Sequence, residues 1–199
     1  MAKELVLASH NKKKTTELRA ILEPFGYRLY SLPDFPGAPE PEETGDTFAA
    51  NAAIKAESAM RFTGLPVLAD DSGLVVDALS GEPGVRSARY AGENADDAEN
   101  NALLLQKLSA VPEAERTARF VCSIVLARPN NELITCYGET EGVILAAPRG
   151  RGGFGYDPLF FSTVLGKSFA EADATEKKLV SHRGRAIASL VARLRKLDV

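Results

Sequence analysis

Apolar and polar positions follow two different periods along this chain. Residues 4–8 (ELVLA) form a short apolar run of the kind an inner strand carries, ending at Ser9-His10-Asn11. Leu18, Ile21, Leu22 and Phe25 then recur at i, i+3, i+4 and i+7, which predicts a helix with one buried face. Pro24 and Gly26 stop it. Residues 31–45 are rich in proline, glycine and acid and predict a loop long enough to be functional. A helix is expected from 47 to about 62. Two buried runs follow within 68–78 (LADDSGLVVDA), with Asp-Asp-Ser-Gly between them, which predicts strand, turn, strand. Residues 81–94 read as a second glycine-rich loop, and 96–109 as a helix carrying Leu103, Leu104, Leu105 and Leu108. Residues 120–127 and 133–137 read as a hairpin, and an amphipathic helix with Ile187, Leu190, Val191 and Leu194 closes the chain from Ser181. Strands alternating with helices around an antiparallel hairpin predict an α/β fold with a mixed sheet.

Composition narrows this further. A chain of 199 residues, 45% hydrophobic and 26% charged, fits one domain over residues 1–199 with a substantial core, arranged as two lobes around a cleft. No apolar run of about 18 residues is present, so neither a membrane span nor a secretory leader is expected, and a cytoplasmic protein is. A net charge of −3 argues against a general nucleic-acid binder. Cys122 and Cys136 sit in apolar stretches and read as reduced buried thiols, a structural disulfide being the alternative. His10 and His182 lack any CxxC companion, so a zinc centre is not expected.

Two phosphate signatures fail on context. Gly150-x-Gly152-x-x-Gly155 has dinucleotide-loop spacing, but Tyr156-Asp157-Pro158 follows where a helix should begin. Gly166-Lys167-Ser168 resembles a P-loop end, yet Phe161 stands where its first glycine belongs. A better candidate is Ser9-x-Asn11-x-x-Lys14, which gathers hydroxyl, amide and ammonium groups at a helix N-terminus that attracts phosphate; an ordinary N-cap by Ser9 or Asn11 is the plainer alternative. Asp70 and Asp71, side by side, repel unless a cation lies beside them. Magnesium, which needs few protein carboxylates, supplies one, with Glu42-Glu43 as a further ligand source; a self-capping Asp-Ser-Gly turn is the alternative. Residues 152–157 (GGFGYD) offer a close-approaching backbone with Phe154 or Tyr156 to stack on a flat ligand, and Lys177 with Ser181-His182-Arg183 adds donors. Together these describe a nucleoside-triphosphate pocket.

At this point the chain resembles a known family, the inosine-triphosphate and xanthosine-triphosphate pyrophosphatases. Seven motifs in order carry the resemblance: SHNKKK at the start, EETGxTF (42–48), NAxxKA (51–56), ADDSGL (69–74), PGxxSARY (83–90), GFGYDP (153–158) and KxxxxHR (177–183). The resemblance implies an elongated mixed sheet flanked by helices, with a nucleotide cleft, in a cytoplasmic homodimer. It implies magnesium-dependent release of pyrophosphate from non-canonical purine triphosphates. Asp71 would be the base that activates water. Glu42 or Glu43, with Asp70 and Asp71, would form the metal site. Ser9, His10, Asn11, Lys12, Lys13, Lys14 and Lys55 would hold phosphates, and Ser72, Phe154, Gly155, Tyr156, Asp157, Lys177, His182 and Arg183 would line the nucleotide pocket. One departure is Ala50, where the family commonly has Glu; its loss removes either a capping-box hydrogen bond to Thr47 or a contribution to the metal site. Two alternatives stand beside this reading: an enzyme for modified pyrimidine triphosphates, and a nucleotide-binding protein impaired by the change at Ala50.

Overall fold

A run such as Leu5-Val6-Leu7, buried on both faces, needs neighbours on both sides, and the computed structural model, which describes residues 3–9, 11–130 and 132–197, provides them. Strand β1 (Lys3–Leu7) pairs in parallel with β2 (Tyr27–Ser31) and with β3 (Val67–Val76), Leu5 lying opposite Leu29 and Val6 opposite Val67. Strands β4 (Thr117–Ala127), β5 (Leu133–Ile144), β6 (Phe160–Ser162) and β7 (Lys167–Ser168) follow, β5, β6 and β7 in antiparallel succession. The result is one mixed seven-stranded sheet in the order β2-β1-β3-β4-β5-β6-β7. Its helices are α1 (Lys12–Leu22), α2 (Phe48–Thr63), α3 (Asp97–Lys107), α4 (Ala174–Val180) and α5 (His182–Leu197). The fold is α/β, as the alternation of periods predicts. No described helix is long and apolar enough to cross a membrane.

Four expectations need correction. The Asp-Asp-Ser-Gly stretch is not a turn: β3 runs unbroken for ten residues through it. An interior strand engages its neighbours along both edges, and that outweighs the local turn preference of Asp, Ser and Gly. Strand β2 is absent from the sequence reading because its residues read polar, as an edge strand can, and only Leu29 is buried. Helix α1 ends at Leu22, and Pro24 tightens the next residues into a 3-10 turn, so Phe25 is half exposed beneath the Arg195 guanidinium instead of joining the helix face. The separate short helix α4, opened by a reciprocal Asp173–Glu176 capping box, precedes the closing helix.

The chain divides into two compact units, one of residues 1–71, 123–137 and 186–199, the other of residues 72–122 and 138–185. The first has a core of small side chains: Ala52, Ala56 and Ala59 of α2 pack with Val6, Val67, Ala69 and Val125. The second is larger in its residues, with Leu74, Leu104, Leu108 and Ile144 around an aromatic group in which the Phe120 and Phe160 rings lie 4.6 Å apart and Phe160 and Phe169 4.9 Å apart. Cys122 and Cys136 are both buried and are not joined in a disulfide.

Candidate active site

In the first unit, the sequence brings two cations onto the paired aspartates. Asn11 caps α1, its side-chain oxygen accepting from the Lys14 amide at 3.1 Å, while the Ser9 hydroxyl accepts from the Asn11 amide at 3.2 Å. The capping alternative is therefore what the asparagine does. The same cap fixes the first turn of α1, which carries Lys14, and its ammonium lies 3.2 Å from an Asp70 carboxylate oxygen. Thr47 caps α2 in the same way, accepting from the Ala50 amide. Ala50 thus occupies the third helical position, where a glutamate would close the capping box.

One turn on, Asn51 and Lys55 share a face of α2, and both reach Asp71. Asn51 donates to one carboxylate oxygen at 3.3 Å, and the Lys55 ammonium lies 3.6 Å from the other. Lys55 also holds Glu43 at 2.7 Å. Asn51 accepts in turn from the Gly45 amide at 2.8 Å, fastening the acidic loop to the helix. A side chain at Gly45 would collide with Ala50 and Asn51, so that turn of loop requires glycine.

Charges set close together and buried shift one another's protonation. Burial pushes the Asp71 carboxyl up, and Glu43 adds to this; Lys55, Lys14 and the Asn51 hydrogen bond oppose it without cancelling it. Burial pulls the Lys55 ammonium down, but Asp71, Glu43 and Asp70 together outweigh it, so Lys55 is held charged above its ordinary range. The site therefore pairs a carboxyl of raised basicity with a permanent cation.

In the second unit a different chemistry is assembled. Residues Phe154 to Asp157 form a tight turn in which the Asp157 carboxylate accepts from the Phe154 amide at 2.8 Å. The buried Lys177 ammonium reaches the same carboxylate at 2.7 Å and sits 4.8 Å from the centre of the Phe154 ring. The Arg183 guanidinium lies 5.7 Å from that ring and donates to the Ser72 hydroxyl at 3.1 Å. His182 stacks on Phe120 at 4.8 Å. Gly153 adopts φ +73°, and a side chain there would run into the Asp157 carboxylate.

The structure thus gathers Lys14, Lys55, Asp70, Asp71 and Glu43 in one cluster, and Ser72, Phe154, Asp157, Lys177 and Arg183 in another, while the buried His182 ring lies against the core residue Phe120. It bears on three of the expected site residues. Glu42 is exposed, whereas Glu43 is drawn to Lys55, which distinguishes the two acids. The Tyr156 ring is buried in the core, its hydroxyl donating to the Ser87 carbonyl at 2.9 Å, which leaves Phe154 as the candidate ring for stacking. Lys12 is exposed at the start of α1. His10 and the Lys13 side chain lie outside the described residues. Asn51, to which the sequence assigns no role beyond sharing a helix face with Lys55, joins the first cluster through its hydrogen bond to Asp71.

Hard anionic oxygens from Glu43 and Asp71 flank a single cation position, that of the Lys55 ammonium, and such oxygens suit magnesium, which leaves most of its coordination to water and phosphate. Among the described residues no group of three or more His, Cys, Asp or Glu side chains is placed to hold a metal. The donors present are hard oxygens, which suit a hard dication.

The model of the Ham1 family matches residues 5–193. The chain is 58% identical to the dITP/XTP pyrophosphatase of Geobacter sulfurreducens, over 94% of each, and 53% identical to that of Desulforamulus reducens, over 98% of each. Among solved structures, a HAM1 protein from Coxiella burnetii superposes with a TM-score of 0.90 at 44% identity, covering 98% of this chain and 99% of the other.

Proposed function

Because the chain belongs to the Ham1 family, we propose that it hydrolyses non-canonical purine nucleoside triphosphates, ITP, dITP and XTP, to the monophosphate and pyrophosphate, and so clears them from the nucleotide pool. The observation that carries the reading is Asp71, a buried carboxyl of raised basicity held between Lys55 and Asn51, with Lys14 on the neighbouring aspartate.

Asp71 accepts the proton of a water that attacks the α-phosphorus. The α–β bridging bond breaks, and its electron pair leaves with pyrophosphate. Lys14 and Lys55 offset the charge that accumulates on the phosphate oxygens, and Asn51 keeps the Asp71 carboxylate oriented. Glu43 and Asp71 would hold magnesium, which when bound supplies further neutralisation of the triphosphate. For the base, Phe154 supplies the stacking ring and Arg183 donates to a 6-oxo group. Adenine presents an amino donor at that position and would leave the guanidinium facing a donor, so ATP is disfavoured. The same family reading makes the working unit a cytoplasmic homodimer, which sedimentation of the purified protein tests.

The direct test incubates the protein with magnesium and each of ITP, XTP, GTP, ATP and dTTP, scoring pyrophosphate and orthophosphate separately. Pyrophosphate with monophosphate from ITP and XTP is the expected result. Preference for the pyrimidine, orthophosphate as product, or saturable binding without turnover would each overturn the proposal.

A further inference from the structure

We propose that Asp97 and Asn101, on helix α3 and outside the site residues named above, are positioning residues that set base discrimination by locking Gly155, the chain neighbour of Phe154. The inference rests on the purine reading of the previous section.

Gly155 adopts φ +60°, has no neighbour within 4 Å of where a side chain would stand, and is free by nature to rotate its two flanking peptide planes. Both planes are pinned from α3. The Gly155 amide, which belongs to the peptide joining it to Phe154, donates to the Asp97 carboxylate at 2.7 Å. The Gly155 carbonyl, in the peptide joining it to Tyr156, accepts from the Asn101 amide nitrogen at 2.9 Å. Asp97 and Asn101 are four residues apart on one helix face, so a single rigid element grips both sides of one glycine.

The grip has a defined polarity. The Asn101 nitrogen also donates to the Asp97 main-chain carbonyl at 2.7 Å, so both of its partners are acceptors, and only the NH2 end of the amide can satisfy them. The helix is itself anchored: Asp96 and Glu99 form a reciprocal cap at its start, and Asn100 holds the preceding loop by accepting from the Ala91 amide at 2.8 Å and donating to the Ala88 carbonyl at 3.2 Å. Residue 154 is thus fixed on one side by its own hydrogen bond to Asp157 and on the other by α3. Released from α3, the Phe154 ring shifts relative to Arg183, and a misplaced stack changes how well a 6-oxo base is told from a 6-amino one.

The test measures kcat and KM for ITP and ATP by pyrophosphate release in four forms: wild type, Asp97→Ala, Asp97→Asn and Asn101→Asp. Asp97→Asn keeps an oxygen that accepts from Gly155, and its selectivity stays within about threefold of wild type. Asp97→Ala removes the acceptor, and the near-isosteric Asn101→Asp sets a carboxylate against two carbonyls. Both lower kcat/KM for ITP at least about tenfold, chiefly through KM, and shrink the ITP-to-ATP ratio by a similar factor. A purely structural role would lower the melting temperature or the active fraction and leave that ratio unmoved; an unchanged ratio in both variants overturns the proposal. Should Asp97→Ala not fold, Asp97→Ser, with a shorter acceptor, carries the same readout. A wild-type protein inert toward ITP would instead refute the purine reading, and is seen before any variant is compared.

Discussion

Replacing Lys177 by methionine isolates the energetics of the nucleotide-loop pair. The Lys177 ammonium and the Asp157 carboxylate lie 2.7 Å apart, their side chains only 11% and 4% exposed. An exposed pair of this kind contributes at most about 1 kcal/mol. A buried one behaves differently, because removing one partner strands the other charge away from water, which costs about 3–5 kcal/mol. Methionine fills most of the volume of lysine, so the loss is electrostatic and not a cavity. Asp157 keeps its contact with the Phe154 amide, which places the expectation toward the lower half of the range. The expected destabilisation is thus about 3–4 kcal/mol, read by urea denaturation as a lower midpoint at unchanged slope. In a chain of this size each kcal/mol moves the melting temperature by about 2–4 °C, so a fall of about 6–16 °C accompanies it. The double variant Lys177→Met with Asp157→Asn removes both charges, keeps an acceptor for Phe154, and should recover most of the loss. A single variant costing under about 1 kcal/mol, or a double variant no better than the sum of the singles, would refute the reasoning.

Other outcomes follow from the same geometry. Asp71→Asn preserves shape and removes the proton acceptor, so kcat for ITP should fall by about 10² or more with the melting temperature little changed; near-normal turnover would take Asp71 out of the role. Gly153→Ala forces a side chain into left-handed backbone and against the Asp157 carboxylate, costing about 1–3 kcal/mol by urea unfolding, whereas alanine tolerated at no cost would contradict the described turn. Asp77 accepts from Thr117 and is paired with Arg119, which together hold its carboxyl below the ordinary aspartate range. A depressed native pKa stabilises above the unfolded value and loses that contribution as pH falls through the native one. The urea midpoints of wild type and Asp77→Asn should therefore differ at pH 7 and converge in acid, and a gap independent of pH would rule out the linkage.

The elements legible in the sequence were those whose burial dictates their pattern. Strand β1, the α2 helix with its Thr47 cap, α3 and the closing helix all follow from apolar spacing and caps. Those that were not legible owe their form to neighbours far along the chain. The turn chemistry of Asp-Ser-Gly yields to the sheet on either side of β3, and β2 pairs with β1 although its own residues scarcely show it. The site divides the same way. Paired aspartates, a capped helix start and a glycine-rich aromatic loop announce themselves by residue type. That Lys14 takes Asp70 while Lys55 takes Asp71 and Glu43, that Tyr156 turns into the core, and that α3 grips Gly155 all depend on contacts between segments up to 69 residues apart. No local pattern encodes them.

Asp71 stands in an interior strand that is buried along almost its whole length and has partners on both edges. Amides in such strands exchange with solvent only when a protein opens globally, whereas loop amides exchange through local fluctuations. The residue on which turnover is proposed to depend therefore sits in the part of the molecule that is last to loosen. Heat should extinguish activity along the same curve that melts the fold, with no folded but inactive plateau contributed by this strand. Natural variation in such an enzyme has little room to tune rate by softening the ground under its base, and is channelled instead into the loops and helix ends that meet the substrate.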